Sequence, residues 1–261
     1  MQGKSTALNI YEADAPGISA ITAVGMLHET NSASVSRRPT PYLSAAVRRA
    51  FSWRYAVLKR TIDILLSSIL IVLFFPVMLA VALAVALTSP GPIFFSQERL
   101  GRFGAPFRII KFRSMFARKH KDNVFEINGH RRIEADRRNE AAYPLNKDVP
   151  DPRITPVGRI IRKLSLDELP QLFNVLLGDM SLVGPRPIVE AEVSLYGQQF
   201  AYYDLFRPGI TGLWQVSGRS DVGFERRVLF DRDYASKWSC LLDFKILTQT
   251  IPAVVTMRGA Y

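Results

Sequence analysis

Cysteine occurs once in the chain, at Cys240, so no internal disulfide can form and the sequence fits a reducing compartment. Histidine occurs three times and never after His130. Chemistry in the second half must therefore rest on carboxylates, lysines and arginines. His120 and His130 lie in a charge-rich stretch, Lys119 to Tyr143, without partners at metal-ligand spacing, and read as solvated. Walker-type and dinucleotide-binding glycine loops are missing. The first 40 residues hold no apolar core of the kind a secretory signal needs, so no cleaved leader is expected. Acidic residues are in deficit: 23 Asp and Glu face 34 Lys and Arg, a formal charge of +11. That excess implies an anionic partner, whether lipid headgroups, phosphorylated substrates or nucleic acid.

A further absence points to the first of these. No charged residue occurs from Ile64 to Leu87, ILLSSILIVLFFPVMLAVALAVAL. As a straight helix this run is about 36 Å long, enough to cross a hydrocarbon core of about 30 Å. Pro76 lies at its midpoint, where it removes a backbone hydrogen bond and bends the helix. Both flanks are basic, with Arg54, Lys59 and Arg60 before the run and Arg99 and Arg102 after it. The positive-inside rule places both flanks in the cytoplasm. Two arms of about 18 Å, dipping into one leaflet and returning, satisfy these features together. A spanning helix remains the alternative, because proline kinks also occur in spans.

The remaining chain divides around that run. Residues 1–44 read as a mobile tail. Residues 45–62 combine Arg48, Arg49, Arg54 and Lys59 with Phe51, Trp53 and Tyr55, the mixture of an interfacial helix. Residues 63–88 form the re-entrant membrane helix broken at Pro76, and 89–261 a cytosolic domain with membrane-associated helices. Within that domain Ile93 to Glu98 and Phe107 to Phe112 read as two short strands around a Gly-containing loop. Thr155-Pro156 is a helix start. Ile188 to Gln199 and Phe224 to Lys237 read as helices, and Arg207 to Asp221 as a Gly-rich irregular segment. Leu241 to Met257, interrupted by Pro252, suits either the membrane surface or the domain core. The fold class expected is mainly α with a small β-hairpin, a re-entrant membrane helix-hairpin and interfacial amphipathic helices.

The chemistry concentrates in RKLSLDELPQLFNVLLGDMSLVGPRP, from Arg162 to Pro187. Ser165-Leu166-Asp167-Glu168 matches a capping box, with Leu164 and Leu169 placed as a hydrophobic staple. Taken alone, both acids would then serve a helix start. Pro170 is costly in the first turns of a helix made only for stability, which hints at a shaped site. Arg162 precedes the acids, and Arg186 follows between Pro185 and Pro187, which fix the backbone that presents it. Arginine suits bidentate phosphate contact, and two acids can act as nucleophile and metal ligand. A non-catalytic membrane anchor would explain the apolar run but not the Pro-Arg-Pro element. A nucleic-acid binder would explain only the charge, so no nucleic-acid partner is expected.

LSLDELPQLFNVLLGDMSLVGPRP, FRIIKFRSM and RPGITGLWQVSGR resemble the bacterial sugar transferase family, the monotopic phosphoglycosyl transferases. The resemblance runs from about Lys59 to the C-terminus. It implies transfer of hexose-1-phosphate from a UDP-sugar to undecaprenyl phosphate, releasing UMP through a covalent aspartyl-phosphosugar, as the first step of exopolysaccharide biosynthesis. It assigns Asp167 as nucleophile, Glu168 to Mg²⁺ and proton handling beside Asp167, and Arg162, Arg186 and Lys111 to phosphate. A broken re-entrant helix is a trait of the family and matches Pro76. Some members have Ser-Pro at the break, where this chain has Phe75-Pro76, so a hydroxyl-to-backbone bond is lost. The ending from Phe230 is most similar to exopolysaccharide-priming members that use UDP-galactose or UDP-glucose, with galactose slightly preferred. The resemblance further implies the cytoplasmic face of the bacterial inner membrane, membrane lipid, a homodimer, and the later glycosyltransferases of the pathway as partners.

Overall fold

The computed structural model describes residues 41–116, 151, 153–218 and 222–255, with the backbone alone at 124–127 and 130–133. The tail expected over 1–44 lies outside the described residues as far as residue 40, and so does His120. From Pro41 the chain is ordered into helix α1, Pro41–Ala50, whose Ala46 and Ala50 are buried in the core. A turn at Phe51 and Ser52 separates it from a π-helical turn, Arg54–Lys59, that runs directly into α2, Arg60–Thr88. The stretch 45–62 is therefore two pieces rather than one helix. The reason is Tyr55, whose ring is wedged edge-on between Phe206 and Trp238, at 4.9 and 5.0 Å, while its hydroxyl accepts the Arg207 N–H. Its cationic side chains divide as well: Arg48 and Arg54 are exposed, whereas Lys59 is buried on Asp243 at 2.7 Å.

Helix α2 carries Pro76 without interruption. The expected break into two arms is absent from the hydrogen-bonded backbone, since a proline deletes one rung and leaves the flanking turns able to continue. By length and composition this helix could cross a membrane. Its two ends, however, are fastened to the same body. At the start, Arg60 donates to the carbonyls of Val175 and Leu176, and buried Asp63 accepts from Ser181 Oγ and Leu182 N, both at 3.0 Å. At the finish, buried Arg113 donates to the carbonyls of Val85, Ser89 and Pro90. Between these clamps Asp63, Ser67, Met78, Val81 and Val85 are buried at helical spacing, so one stripe faces the protein along most of the length. The opposite side exposes Ile69, Val72, Leu73, Phe75, Leu79, Leu83 and Leu87.

Asp63 is the polar keystone of the first clamp. Asp63→Ala removes the acceptor for two buried donors and is expected to destabilise the fold by about 2–4 kcal/mol. A denaturant or thermal midpoint would check this, with Asp63→Asn expected to retain most of the stability.

Strands β1, Phe94–Leu100, and β2, Pro106–Phe112, pair antiparallel around a short turn, as the alternation predicts. Within the charge-rich stretch the backbone of β3, Val124–Ile127, pairs antiparallel with that of β4, His130–Ile133. Helix α3, Pro156–Lys163, starts as expected, with Thr155 Oγ1 accepting the Gly158 N–H at 2.8 Å. Helix α4, Gln171–Leu177, then leads to β5, Ser181–Val183. The stretch Ile188 to Gln199 is not one helix but a chain of short turns that includes α5, Val193–Tyr196, before α6, Phe200–Tyr203. Gly197, at a positive φ of 51°, divides them. The Gly-rich segment supplies β6, Gly209–Thr211, parallel to β5, and the short helix α7, Leu213–Val216.

Helices α8, Phe224–Lys237, and α9, Cys240–Val255, complete the unit. In helix α9 Ile246 is fully buried in the core, whereas Leu241, Phe244 and Ile251 are exposed apolar residues. The main core joins α1, α4, β5 and α8 through residues such as Val175, Met180, Phe206 and Tyr234. The class is mainly α with a small antiparallel sheet and one long apolar helix, as the sequence predicts.

Candidate active site

Asp167 and Glu168 do not begin a helix. Helix α3 ends at Lys163, Ser165 adopts the left-handed conformation at φ 56°, and the acids occupy a single 3-10 turn, Leu166–Glu168. Ser165 makes no side-chain cap, so the capping box is corrected. Its N–H instead bonds the Arg162 carbonyl, which makes Ser165 the terminator of the preceding helix. Helix α4 starts after Pro170, where the missing N–H is harmless. The acids are thus held between two helices and serve neither as a cap.

The flanking residues anchor this turn. Leu166 and Leu169 pack on Met78, Val81 and Val85 of α2 together with Phe112 and Ile161. The acid pair therefore stands directly on the apolar helix. Buried Asn174 sets the register of β2 against α4: its Oδ1 accepts the Ile110 N–H at 3.0 Å and its Nδ2 donates to the Arg108 carbonyl at 2.8 Å. Lys111, the next residue, consequently projects onto the turn and donates to Glu168 Oε1 at 2.7 Å.

Arg186 arrives from the other side by close backbone packing. A Cβ at Gly184 would lie 2.3 Å from the Arg207 carbonyl, and one at Gly209 would lie 2.1 Å from the Gly184 nitrogen. Only glycines let the two strands approach so closely. Gly209 N donates to the Pro185 carbonyl at 2.7 Å. Pro185 and Pro187 are buried while Arg186 between them is exposed. Its guanidinium sits 5.8 Å from the Trp214 ring, which Arg227 of α8 also covers at 4.6 Å.

Burial pushes the Asp167 carboxyl up, and the adjacent Glu168 charge adds to it. Lys111 and Arg162 oppose this, and the group settles at about 6. Burial also raises Glu168, but the Lys111 and Arg186 charges and hydrogen bonds from Lys111 and Gln171 outweigh it, leaving Glu168 below the usual range. The two acids are thereby separated in role, one poised near neutrality and one held as an anion. The cleft among Lys111, Glu168, Gln171 and Arg186 encloses about 20 Å³, room for a water or small ion. Any larger ligand would lie across its mouth, where Arg186 is exposed.

Among the described residues no three His, Cys, Asp or Glu side chains could hold a metal by themselves. Two carboxylates do fit Mg²⁺ when substrate phosphate supplies further oxygens, the common arrangement for that ion.

All five residues singled out in the sequence converge here. Lys111 and Glu168 are in contact, Arg186 acts electrostatically on Glu168, and Arg162 and Lys111 act on Asp167. Gln171, Asn174, Trp214 and Arg227 were not singled out. Gln171 and Asn174, 2 % and 1 % exposed, could have been found as polar residues at helical spacing on the buried face of an apolar segment. Arg227 and Trp214 meet only through tertiary folding.

Comparison with known proteins now bears on this geometry. The family model for bacterial sugar transferase matches residues 54–257. The chain belongs to the bacterial sugar transferase family. Among its relatives, exopolysaccharide production protein ExoY of Rhizobium meliloti is 44% identical over 207 residues, covering 78% of this chain and 88% of that one. The undecaprenyl-phosphate galactose phosphotransferase of Salmonella typhimurium is 46% identical over 204 residues, 78% of this chain and 42% of that longer protein. A UDP-glucose:undecaprenyl-phosphate glucose-1-phosphate transferase of Caulobacter vibrioides is 42% identical over 211 residues, 78% and 72% of the two chains. The matched span of this sugar transferase includes α2, the acid turn, the Pro-Arg-Pro loop and α8.

For a reaction in which Asp167 must be ionised, its titration near 6 sets the acid limb of the rate profile. Activity should rise about tenfold per pH unit below 6 and level off above about 7. A pH–rate profile without a limb in that interval would show that Asp167 does not titrate in the rate-determining complex.

Proposed function

We propose that this sugar transferase moves hexose-1-phosphate from a UDP-sugar to undecaprenyl phosphate in two displacements on Asp167. The carrying observation is the convergence of Lys111, Arg162 and Arg186 on an acid pair whose two members are driven to different protonation behaviour. In the first displacement an Asp167 carboxylate oxygen attacks the sugar-linked phosphorus. The bond from that phosphorus to the bridging oxygen breaks, and UMP departs with the electron pair. In the second, a phosphate oxygen of the polyprenyl acceptor attacks the same phosphorus and returns the Asp167 carboxylate.

Each side chain then has a defined task. Arg186, presented at the cleft mouth, clamps the diphosphate bidentately. Arg162 and Lys111 offset charge as it moves onto the bridging oxygen. Glu168 stays ionised beside Lys111 and, with Asp167, would hold Mg²⁺ jointly with the donor. A bound Mg²⁺ supplies further neutralisation of the diphosphate.

We place the reaction at the cytoplasmic face of the inner membrane, with both ends of α2 on that same side. Support comes from the two clamps that fasten both ends of α2 to the catalytic body, and from the acid turn resting on its buried stripe. Tags at residue 30 and at the C-terminus should both report the cytoplasm; opposite sides would restore a spanning helix. UDP-galactose is our preferred donor over UDP-glucose, and a homodimer and the later glycosyltransferases are our expected protein partners. A panel of UDP-sugars assayed for UMP release with undecaprenyl phosphate tests the whole reading. Absence of release with every donor would leave a membrane anchor instead.

A further inference from the structure

A second cavity, of about 650 Å³, lies between the α1 and π-helical segments and the corner joining α8 to α9. It shares no lining residue with the acid cleft. Its lining sets Arg48, Arg49 and Arg54 beside the apolar Leu58, Trp238 and Leu241. Among the described residues none of the three arginines forms an ion pair. Three cations around one space repel each other unless an anion is shared between them, and their volume suits a small ligand.

The surroundings identify that anion's class. Exposed Val57 and Leu58 lead into α2, and Leu241 and Phe244 continue the apolar surface along α9. Trp53, 67 % exposed, stands at the rim with the Arg54 guanidinium 5.9 Å from its ring, an arrangement suited to headgroup depth. The lining therefore offers cations and hydrocarbon contact together.

We propose that this cavity binds the headgroup phosphate of an anionic glycerophospholipid, with Arg48, Arg49 and Arg54 on the phosphate and Leu58 and Leu241 against its acyl chains. The polyprenyl acceptor is the less suitable occupant, because its phosphate must reach Asp167 and no wall of this cavity belongs to the acid cleft. The inference rests on the proposed membrane placement and not on the donor chemistry. Bound lipid would orient the catalytic body by fixing α1 and the α8–α9 corner at the same headgroup plane.

The test is native mass spectrometry of the full chain in a neutral detergent with dioctanoyl phosphatidylglycerol and dioctanoyl phosphatidylcholine. The unaltered protein should retain the anionic lipid about tenfold more than the zwitterionic one, which is about 1.4 kcal/mol. Arg48→Gln with Arg54→Gln, both at exposed positions, should abolish that preference and leave UMP release in neutral detergent unchanged. Equal retention of the two lipids, or a preserved preference in the variant, overturns the proposal. Displacement by equimolar glycerol 3-phosphate would make it a simple anion site, and displacement by polyprenyl phosphate would make it the acceptor site; either result also overturns it. Loss of UMP release with lipid preference intact would instead fall on the proposed function alone.

Discussion

Asp167→Asn is expected to lower hexose-1-phosphate transfer by at least about 10³-fold, equivalent to about 4 kcal/mol of transition-state stabilisation. The amide has nearly the same shape but cannot form the acyl-phosphate bond, so the loss falls on the chemical step rather than on donor binding. The same substitution should not harm the fold. Burial and the neighbouring Glu168 raise the folded-state carboxyl to about 6, above its usual value. A carboxyl raised in this way favours the native state below its unfolded pKa and loses that contribution as pH rises through about 6. Above pH 7 the ionised group is therefore a net cost, and Asn removes it. The thermal midpoint of Asp167→Asn at pH 8 should equal or exceed that of the unaltered protein, and the difference should vanish near pH 4. A folded, stable and inactive variant separates the chemical role from a structural one.

Lys111→Met should produce the second largest effect, and its signature is a displaced pH profile. Lys111 lies 2.7 Å from Glu168, and its positive charge pulls both acids down. Without it burial and mutual repulsion are less opposed, so both carboxyls titrate higher. An opposite charge at this range commonly accounts for about 1–3 pKa units. Activity at pH 7 is expected to fall about 10–100-fold, and the acid limb to move upward by about one unit or more. Raising the pH should recover part of the loss. A uniform loss at every pH, with the limb unmoved near 6, would mean that Lys111 acts on the donor phosphate alone. Lys111→Arg should keep the limb near its original place, since the positive charge remains.

The parts of the site legible in the sequence were those whose chemistry is local. Arg162, Asp167, Glu168 and Arg186 occupy one short run, and prolines on either side of Arg186 declare a fixed backbone before any fold is known. The apolar run of α2 and the β1–β2 hairpin were readable from hydropathy and alternation for the same reason. What escaped depended on residues far apart in the chain. Ser165 to Glu168 has the spacing of a capping box, yet the end of α3 reaches Ser165 first and places it in the left-handed region, where it cannot cap. The parallel pairing of β5 with β6 joins Ser181 to Gly209 and Val183 to Thr211, a contact with no periodic signal in either segment. That pairing gives Gly184 and Gly209 their purpose, which is to let Arg186 reach the acids. Pro76 was read as a break because a proline removes a hydrogen bond. It proves compatible with an unbroken helix, whose course along the protein is set by the clamps at Asp63 and Arg113.

Those clamps also connect architecture with chemistry. Helix α2 is held at both ends, its buried stripe carries Leu166 and Leu169, and these two residues bracket the acids. In the proposed placement a water-soluble donor and a lipid acceptor meet at one turn without either crossing the bilayer. Most of the rate advantage in such a site comes from holding charged groups in place, not from acid–base machinery. The absence of histidine after His130 is consistent with that division of labour.

The central claim is that Asp167 becomes covalently linked to the sugar phosphate, and the most direct measurement is to trap that species. The full chain is mixed with a UDP-sugar labelled at the sugar-linked phosphorus, with polyprenyl phosphate withheld, and quenched before peptide mapping by mass spectrometry. The expected result is one hexose phosphate on the peptide bearing Asp167, a matching burst of UMP, and loss of the label when polyprenyl phosphate is added. Continued turnover with UMP released only when the acceptor is present, and no label on Asp167 at any time, would contradict the two-displacement mechanism.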